Sequence, residues 1–372
     1  MKKIKVAVGL SGGVDSSVAL LLLKEGGFFV TGVHMRCWDY DAPGCSGNED
    51  KSDAIKVSAM LERPLMDLNF EKEYKERVLK YFFSEIRLGR TPNPDVVCNQ
   101  EIKFGLFLDW ALKNGFDYVA TGHYALILGV NVAEYLSGPV HQNPTFTLAS
   151  GADEAKDQSY FLYRLGQKEL KHILFPIGHL TKQEVRIIAK EAGLPTYDKL
   201  DSTGICFIGD IDVKDFIKSR VKVKKGKVLD INGDEIGEHE GAELYTIGQR
   251  HGFSVSKYTG LPLYVIKKDT KANTITVGFG KDVQRKNFEV SDISWVNKKD
   301  KRLNLSSLKC SVRIRNLGEK MPGAISVLGT KTPLSNASSL NVELDDYALS
   351  VAPGQSAVFY LEDVVLGGGV IR

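Results

Sequence analysis

The first residues that could do chemistry form a glycine- and serine-rich turn, Gly-Leu-Ser-Gly-Gly-Val-Asp-Ser-Ser, over 9–17. The turn stands between an apolar strand-like run (4–8) and a helix-like run (18–24), so its backbone N–H groups can face a phosphate. A Walker loop needs Lys where Asp15 stands, and a dinucleotide fingerprint needs spaced glycines, so neither pattern fits. The turn therefore predicts a different phosphate loop or, alternatively, an ordinary α/β turn with a helix cap.

The cysteines form the second group of reactive side chains: Cys37, Cys45, Cys98, Cys206 and Cys310. Their odd number fits no secreted disulfide framework, so we expect a reducing cytoplasm, where paired cysteines are more often catalytic than structural. Cys98 follows the rigid Asn-Pro-Asp of 93–95 and should lie at the start of a helix through Trp110, where a thiol pKa is lowered. We predict a reactive thiolate, with a small buried apolar residue as the alternative.

Two further cysteine-bearing segments are rich in turn residues. Residues 201–209 surround Cys206 with small residues and glycine, so the loop can bring the thiol into a cleft. Residues 36–46 contain Cys37 and Cys45, but a C-x7-C pair without a second pair is weak support for zinc. We predict an active-site loop there and no resident metal site.

Hydrophobic periodicity predicts a doubly wound parallel α/β sheet that positions these residues. The predicted strands are 28–35, 64–68 and 117–121, and the predicted helices are one ending near 61, 71–88, one opening at 156–161 and 181–193. Strand ends line the crevice of such folds, which brings Met35, Gly122 and His123 towards the phosphate loop. Core packing of Met35 and a structural role for His123 are the alternatives.

Composition favours a soluble globular protein of two or three domains, since 372 residues are 43% hydrophobic and 26% charged with a net charge of +3. The sequence shows no signal peptide and no apolar run that could span a membrane, so we expect a cytoplasmic location.

The pattern changes near 211, where a short helix (213–220), a basic stretch and a hairpin turn at 232–234 begin a small mixed central domain. Short alternating runs from 281 predict a C-terminal β-barrel or sandwich. The expected domains are 1–210, 211–280 and 281–372. Alternation places Arg313 and Arg315 on one face, either solvated or in contact with nucleic acid.

The phosphate turn resembles that of the PP-loop ATP pyrophosphatases, and the whole chain resembles the tRNA-specific 2-thiouridylases within that class. The segments that carry the resemblance occur in the same order along the chain: 9–17, 89–99, 120–124, 156–163, 201–209, 246–250 and 353–360. The resemblance implies an adenine nucleotide alpha hydrolase-like PP-loop fold. It also implies ATP-dependent synthesis of 2-thiouridine at the anticodon wobble position of tRNA.

The resemblance also implies the site residues. ATP, with Mg²⁺, would bind Gly9, Leu10, Ser11, Gly12, Gly13, Val14, Asp15, Ser16, Met35 and Gly122. The target base would contact Asn93, Pro94 and Asp95, and Asp95 would also be the general acid/base. The tRNA would contact His123, Lys156, Asp157, Gln158, Arg315, Asn316 and Gln355, to which strand alternation adds Arg313.

In this scheme Cys206 carries a persulfide loaded by a cysteine desulfurase or a sulfur-relay protein. Cys98 then attacks the inner sulfur, which leaves a Cys98–Cys206 disulfide for an external reductant. Direct persulfide attack and prior release of hydrosulfide both remain open. Two other functions compete with this one: a different PP-loop adenylating synthetase, and an RNA-binding module with a vestigial PP-loop.

Overall fold

The N-terminal part of the chain folds around a five-stranded parallel sheet. The computed structural model describes residues 3–38, 47–128, 145–201, 206, 212–256, 260–327 and 332–372. The sheet has the order β3-β2-β1-β4-β7, and these strands are β1 Lys5–Gly9, β2 Phe29–Arg36, β3 Leu65–Asn69, β4 Tyr118–Ala120 and β7 Ile173–Leu174. All its pairings are parallel, which confirms the predicted doubly wound α/β class. The order reverses between β1 and β4, where such sheets bind ligands.

Helices flank this sheet and connect its strands. They are α1 Val14–Glu25, α2 Gly47–Met60, α3 Glu71–Tyr74, α4 Lys80–Arg87, α5 Pro94–Cys98, α6 Phe107–Lys113, α7 Gln167–Leu170 and α8 Lys182–Glu191. Two π-helical segments, Lys75–Leu79 and Asn99–Leu106, join α3 to α4 and α5 to α6 without a break. Helix α8 begins with the predicted capping box of Thr181 and Glu184.

The prediction that a helix opens at 156–161 is wrong. Only one 3₁₀ turn forms there, Ser159–Leu162. The Asp157 carboxylate accepts hydrogen bonds from the backbone N–H groups of Gly151 (3.1 Å) and Ser159 (3.0 Å). Such side-chain bonds to nearby backbone compete with helix formation.

A central five-stranded sheet follows helix α9, Val213–Lys218. Its order is β10-β9-β8-β12-β11, with bounds β8 Gly226–Leu229, β9 Glu235–His239, β10 Phe253–Val255, β11 Tyr264–Asp269 and β12 Thr274–Gly278. The predicted hairpin turn joins β8 to β9, and Gly233 supplies its left-handed residue at φ +92°.

The C-terminal part is a closed six-stranded barrel behind the short helix α10, Gly280–Val283. Its strands are β13 Gln284–Trp295, β14 Ser307–Arg313, β15 Met321–Ser326, β16 Ser339–Leu349, β17 Ser356–Leu361 and β18 Val364–Ile371. The order β13-β16-β15-β14-β17-β18 closes through the β13–β18 pair. The predicted β-barrel class is confirmed.

A hairpin from the N-terminal part extends this barrel sheet. Strands β5 (Ala125–Leu128) and β6 (Thr147–Ser150) pair with each other, and β6 pairs with β18 at Val364↔Ala149. The parts of the chain before and after the central sheet therefore share one sheet. No described helix is both long and apolar enough to cross a membrane.

Candidate active site

The predicted phosphate loop joins β1 to α1 at the reversal point of the parallel sheet. Gly12 has φ +83°, and Gly13 caps α1 without a side-chain bond to its first N–H groups. The Ser16 hydroxyl accepts from the Ser11 N–H (3.2 Å) and donates to the Gly13 carbonyl (3.1 Å), so the loop holds its own shape. Because an added Cβ on Gly122 would lie 2.7 Å from the Ser16 nitrogen, the segment that follows β4 closely approaches this loop. The cradle of N–H groups fits a nucleotide phosphate.

The other residues predicted to bind the nucleotide differ in which of their atoms can reach it. Leu10 and Val14 are buried in the core, so only their backbone can meet a ligand. Met35 is also nearly buried, and a Cβ on Gly9 would lie 3.2 Å from its terminal methyl. These residues fit the floor of a nucleotide crevice and its apolar wall.

A network of charges borders the loop. Lys182 Nζ lies 2.7 Å from the Asp15 carboxylate and 3.0 Å from that of Asp201. Asp201 also pairs with Lys156 at 2.6 Å and Arg186 at 2.7 Å. Burial alone would raise the pKa of Asp201, but hydrogen bonds from Lys156 and Lys182 hold it at about 2. This clustering brings two lysines to the edge of the crevice, where a polyphosphate can attract them.

The two predicted catalytic cysteines meet. The sulfur atoms of Cys98 and Cys206 are 3.6 Å apart, although 108 positions separate the residues. Cys206 is held by its backbone, because its N–H donates to Asp95 Oδ1 (3.1 Å) and its carbonyl accepts from the Tyr74 hydroxyl (2.6 Å). The rest of the 202–211 segment lies outside the described residues, as does Cys45.

The surroundings of the two thiols correct the thiolate predicted at Cys98 and favour its alternative, a buried residue. Cys98 lies five residues into the continuous helix from Pro94 to Lys113, close to its predicted position, and its side chain is fully buried. Burial raises the pKa of Cys98 well above its usual range, which corrects the predicted thiolate at this position. The pKa of Cys206 is lowered by the hydrogen bond from Cys98, with a further contribution from the Lys103 cation. Cys206 is therefore the more acidic thiol of the pair, and Cys98 is the thiol that donates to it.

Lys103 is the site residue that the sequence reasoning missed. Its side chain hydrogen-bonds Cys206, and its Nζ lies 3.5 Å from His123 Nε2. It lies five residues after Cys98, and the intervening π-helical turns bring residues at that spacing onto one side of the helix. An α-helix would place them on different sides. Burial lowers the pKa of Lys103, but its electrostatic interactions with the cysteine pair, Cys206 first, outweigh this effect and raise it.

His123 faces the interior of the site. It is buried, its Nδ1 shares a 2.6 Å hydrogen bond with the Thr121 hydroxyl, and its ring packs between Phe104 and Phe175. Burial and the Lys103 cation lower its pKa well below the usual value. His123 is therefore a neutral imidazole next to Lys103.

A cavity of about 440 Å³ opens at Asp95, which accepts from the Cys206 N–H, and its walls come from all three parts of the chain. It brings together Asn93, Pro94 and Asp95, predicted to contact the base, with Asn316 and Gln355, predicted to contact tRNA. Asn93 caps α5 by accepting from the Val96 N–H at 3.3 Å, which fixes the Asn-Pro-Asp turn. Burial raises the pKa of Asp95 even though the Cys206 N–H partly opposes this. A flat base of modest size fits this space.

The predicted exposed position of Arg313 is wrong. Arg313 is 7% exposed, because the N-terminal part of the chain covers that face of β14. Its Nη1 lies 2.7 Å from the carboxylate of Asp157, which is 1% exposed. Both residues belong to a buried ion pair between the barrel and the 3₁₀ turn, whereas Arg315 is exposed.

The remaining residues predicted to contact tRNA lie near this pair. Gln158 exchanges two hydrogen bonds with the Tyr124 backbone (2.8 and 3.0 Å), and Lys156 pairs with Asp201. Gln355 donates to the Thr91 carbonyl at 3.1 Å and so anchors the loop before Asn93. Two further described cysteines are buried: burial raises the pKa of Cys37, which shares a core cluster with Cys98, well above normal and that of Cys310 to about 12. No group of three potential metal ligands occurs among the described residues.

The chain combines a phosphate loop at the switch point of a parallel sheet with a thiol pair and two appended β domains. This combination defines a PP-loop protein with sulfur chemistry. Family models match three successive parts: a tRNA methyl transferase HUP domain (4–210), its PRC-barrel domain (214–279) and an aminomethyltransferase beta-barrel domain (285–371). The chain is 41% identical to a tRNA-specific 2-thiouridylase MnmA of Francisella philomiragia, with all of both chains covered. It is 43% identical to that of Streptococcus agalactiae, covering 99% of this chain and 95% of the relative. The chain belongs to the tRNA-specific 2-thiouridylase family.

Proposed function

We propose that this protein uses ATP to replace the C2 oxygen of the anticodon wobble uridine in tRNA with sulfur. The observation that carries the proposal is the 3.6 Å approach of Cys98 and Cys206 beside a cavity lined by Asp95. Such a pair can deliver one sulfur atom and the two electrons that convert it from a persulfide into a thiocarbonyl.

The phosphate loop prepares the leaving group. ATP supplies an adenylyl group that turns a poor oxygen leaving group into AMP, and Mg²⁺ travels with the nucleotide phosphates. The N–H groups of Gly12 and Gly13 and the nearby Lys182 hold the polyphosphate. Close approach of Gly122 to the loop sets the width of the crevice.

The cavity residues orient the base. Asn316 Oδ1 is buried and has no hydrogen-bond partner among the described residues, and Asn316 lines the cavity. A uracil N3–H supplies the donor that this oxygen needs. Asp95 stands beside the base, and its raised pKa suits a group that exchanges a proton during the reaction. A uridine flipped out of the anticodon loop reaches this site without disruption of a helix.

The thiols then complete the exchange. A persulfide on Cys206, loaded by a cysteine desulfurase or sulfur-relay protein, provides the sulfur, either directly or as hydrosulfide. Cys98 loses its proton, attacks the Cys206 sulfur and forms a Cys98–Cys206 disulfide as the S–S bond to the transferred sulfur breaks. AMP leaves the base, and an external thiol reopens the disulfide. We place the reaction in the cytoplasm, where such reductants are available.

The test incubates the protein with ATP, Mg²⁺, a persulfide donor and unmodified tRNA, followed by mass spectrometry of the nucleosides. We expect 2-thiouridine from the wild type and from Cys310→Ser, and none from Cys98→Ser or Cys206→Ser. AMP formed on another acceptor without thiouridine would favour a different adenylating synthetase. Binding of tRNA without pyrophosphate release would favour an RNA-binding module.

A further inference from the structure

A second cavity, of about 380 Å³, lies between the central sheet and the C-terminal barrel. Every charged side chain in its wall is basic: Lys267, Lys268, Arg285 and Arg372. No carboxylate among the described residues pairs with any of the four. The remaining wall is mostly apolar, from residues such as Ile247, Phe288 and Val351.

Neutral acceptors hold these cations in place without neutralising them. The Arg285 guanidinium donates to two backbone carbonyls at 2.9 and 3.1 Å, and Arg372 Nε donates to the Ser291 hydroxyl at 2.7 Å. Since Arg285 and Arg372 are exposed, both have N–H groups left for a ligand. The cavity wall therefore presents oriented donors whose charged side chains are all positive.

Lys268 is the most buried cation of this wall, and the Glu243 carboxylate partly supports its charged form. Its Nζ donates to the Tyr245 carbonyl at 2.6 Å, and burial lowers its pKa to about 8. Lys267, its neighbour, is exposed at the cavity rim. A bound anion would favour the charged form of Lys268 and offset part of its desolvation.

The second cavity adjoins the cavity of the active site. Tyr245, whose carbonyl holds Lys268, lines the active-site cavity. Gly89 and Pro353 line the second cavity, and the Pro353 carbonyl accepts from the N–H of Thr91, which lines the first. The two cavities are therefore joined by direct hydrogen bonds between their wall residues.

We propose that this basic cavity binds a backbone phosphate of the RNA whose uridine occupies the active site. The proposal rests on the proposed function for the identity of the RNA. Arginine and lysine donors around a single pocket match the oxygens and charge of a phosphate group. Inorganic phosphate and pyrophosphate share that chemistry, so the experiment separates the two sources.

The first arm measures binding of an unmodified tRNA transcript to the full chain between 50 and 200 mM salt. The variants are Lys267→Gln/Arg285→Gln and, separately, Lys268→Met, with Lys113→Gln on an exposed helix end of the N-terminal part as the matched control. We expect the slope of log affinity against log salt to become shallower by about one for each phosphate interaction that a variant removes. The control should keep the wild-type slope, and all variants should keep the wild-type unfolding midpoint.

The second arm measures thermal unfolding with inorganic phosphate and with pyrophosphate. An unchanged tRNA affinity and slope in both cavity variants would overturn the proposal. Stabilisation by free phosphate that the variants lose, together with an unchanged slope, would assign the cavity to a free anion and also overturn it. Failure of the wild type to make thiouridine would refute the proposed function alone, because the binding slopes are measured without catalysis.

Discussion

Replacement of Lys103 should remove the charge that keeps Cys206 reactive. A pair of unit charges about 4 Å apart is worth about 1 kcal/mol in water and about 4 kcal/mol at an effective dielectric constant of 20. Lys103 is half-buried in hydrogen-bond contact with Cys206, so its contribution lies between these limits. Because about 1.4 kcal/mol is a factor of ten, Lys103→Met should reduce the thiolate population at pH 7 by a factor between about 5 and about 900.

The assay is alkylation of Cys206 by iodoacetamide from pH 5 to 10, followed through its own peptide by mass spectrometry. The midpoint should move to higher pH in Lys103→Met, while the plateau rate at high pH stays close to the wild type. Lys103→Arg keeps the charge and should recover most of the rate at pH 7. Equal rates at pH 7 in wild type and Lys103→Met would refute the role of Lys103.

Three other sets of interactions around the site can be tested by substitution. Gly122→Ala places a Cβ 2.7 Å from the phosphate loop and should weaken ATP binding by about 1–3 kcal/mol, a loss of about 5- to 150-fold in affinity in ATP titrations. The control Gly280→Ala has space for its Cβ and should leave ATP affinity unchanged. Arg313→Met leaves Asp157 buried and unpaired, so urea unfolding should show a loss of about 3–5 kcal/mol; an unchanged midpoint would contradict the ion pair. The depressed pKa of Asp201 means that its contribution to stability is present above about pH 4 and lost towards pH 2. The stability difference between wild type and Asp201→Asn should therefore shrink as urea titrations move from pH 7 to pH 3, and a constant difference would contradict this account.

The sequence could predict features whose signals are local. The turn at 9–17 has a distinctive order of residue types, and the observed β1, loop and α1 follow it closely. The strand pattern also predicted the parallel sheet, because apolar runs bounded by glycine or proline are typical of buried strands. The pairing of Cys98 with Cys206 was expected from the family resemblance and is found in the geometry.

Features that depend on tertiary packing were missed. Lys103 joins the site only because the helix after Cys98 is π-helical, and no periodicity rule anticipates that. Arg313 fits an alternating exposed face on its own strand, but the N-terminal part of the chain covers it. The predicted thiolate at Cys98 was wrong because full burial of its side chain outweighs any effect of the helix dipole.

The central claim is that one sulfur passes from Cys206 to the uridine as Cys98 closes a disulfide. The most direct measurement is a single turnover in which Cys206 carries a ³⁴S-labelled persulfide and the enzyme receives ATP, Mg²⁺ and unmodified tRNA without reductant. We predict ³⁴S-2-thiouridine and a Cys98–Cys206 disulfide in equal amounts, both resolved by mass spectrometry. Labelled thiouridine formed while Cys98 remains a free thiol, or a disulfide to a different cysteine, would contradict the account.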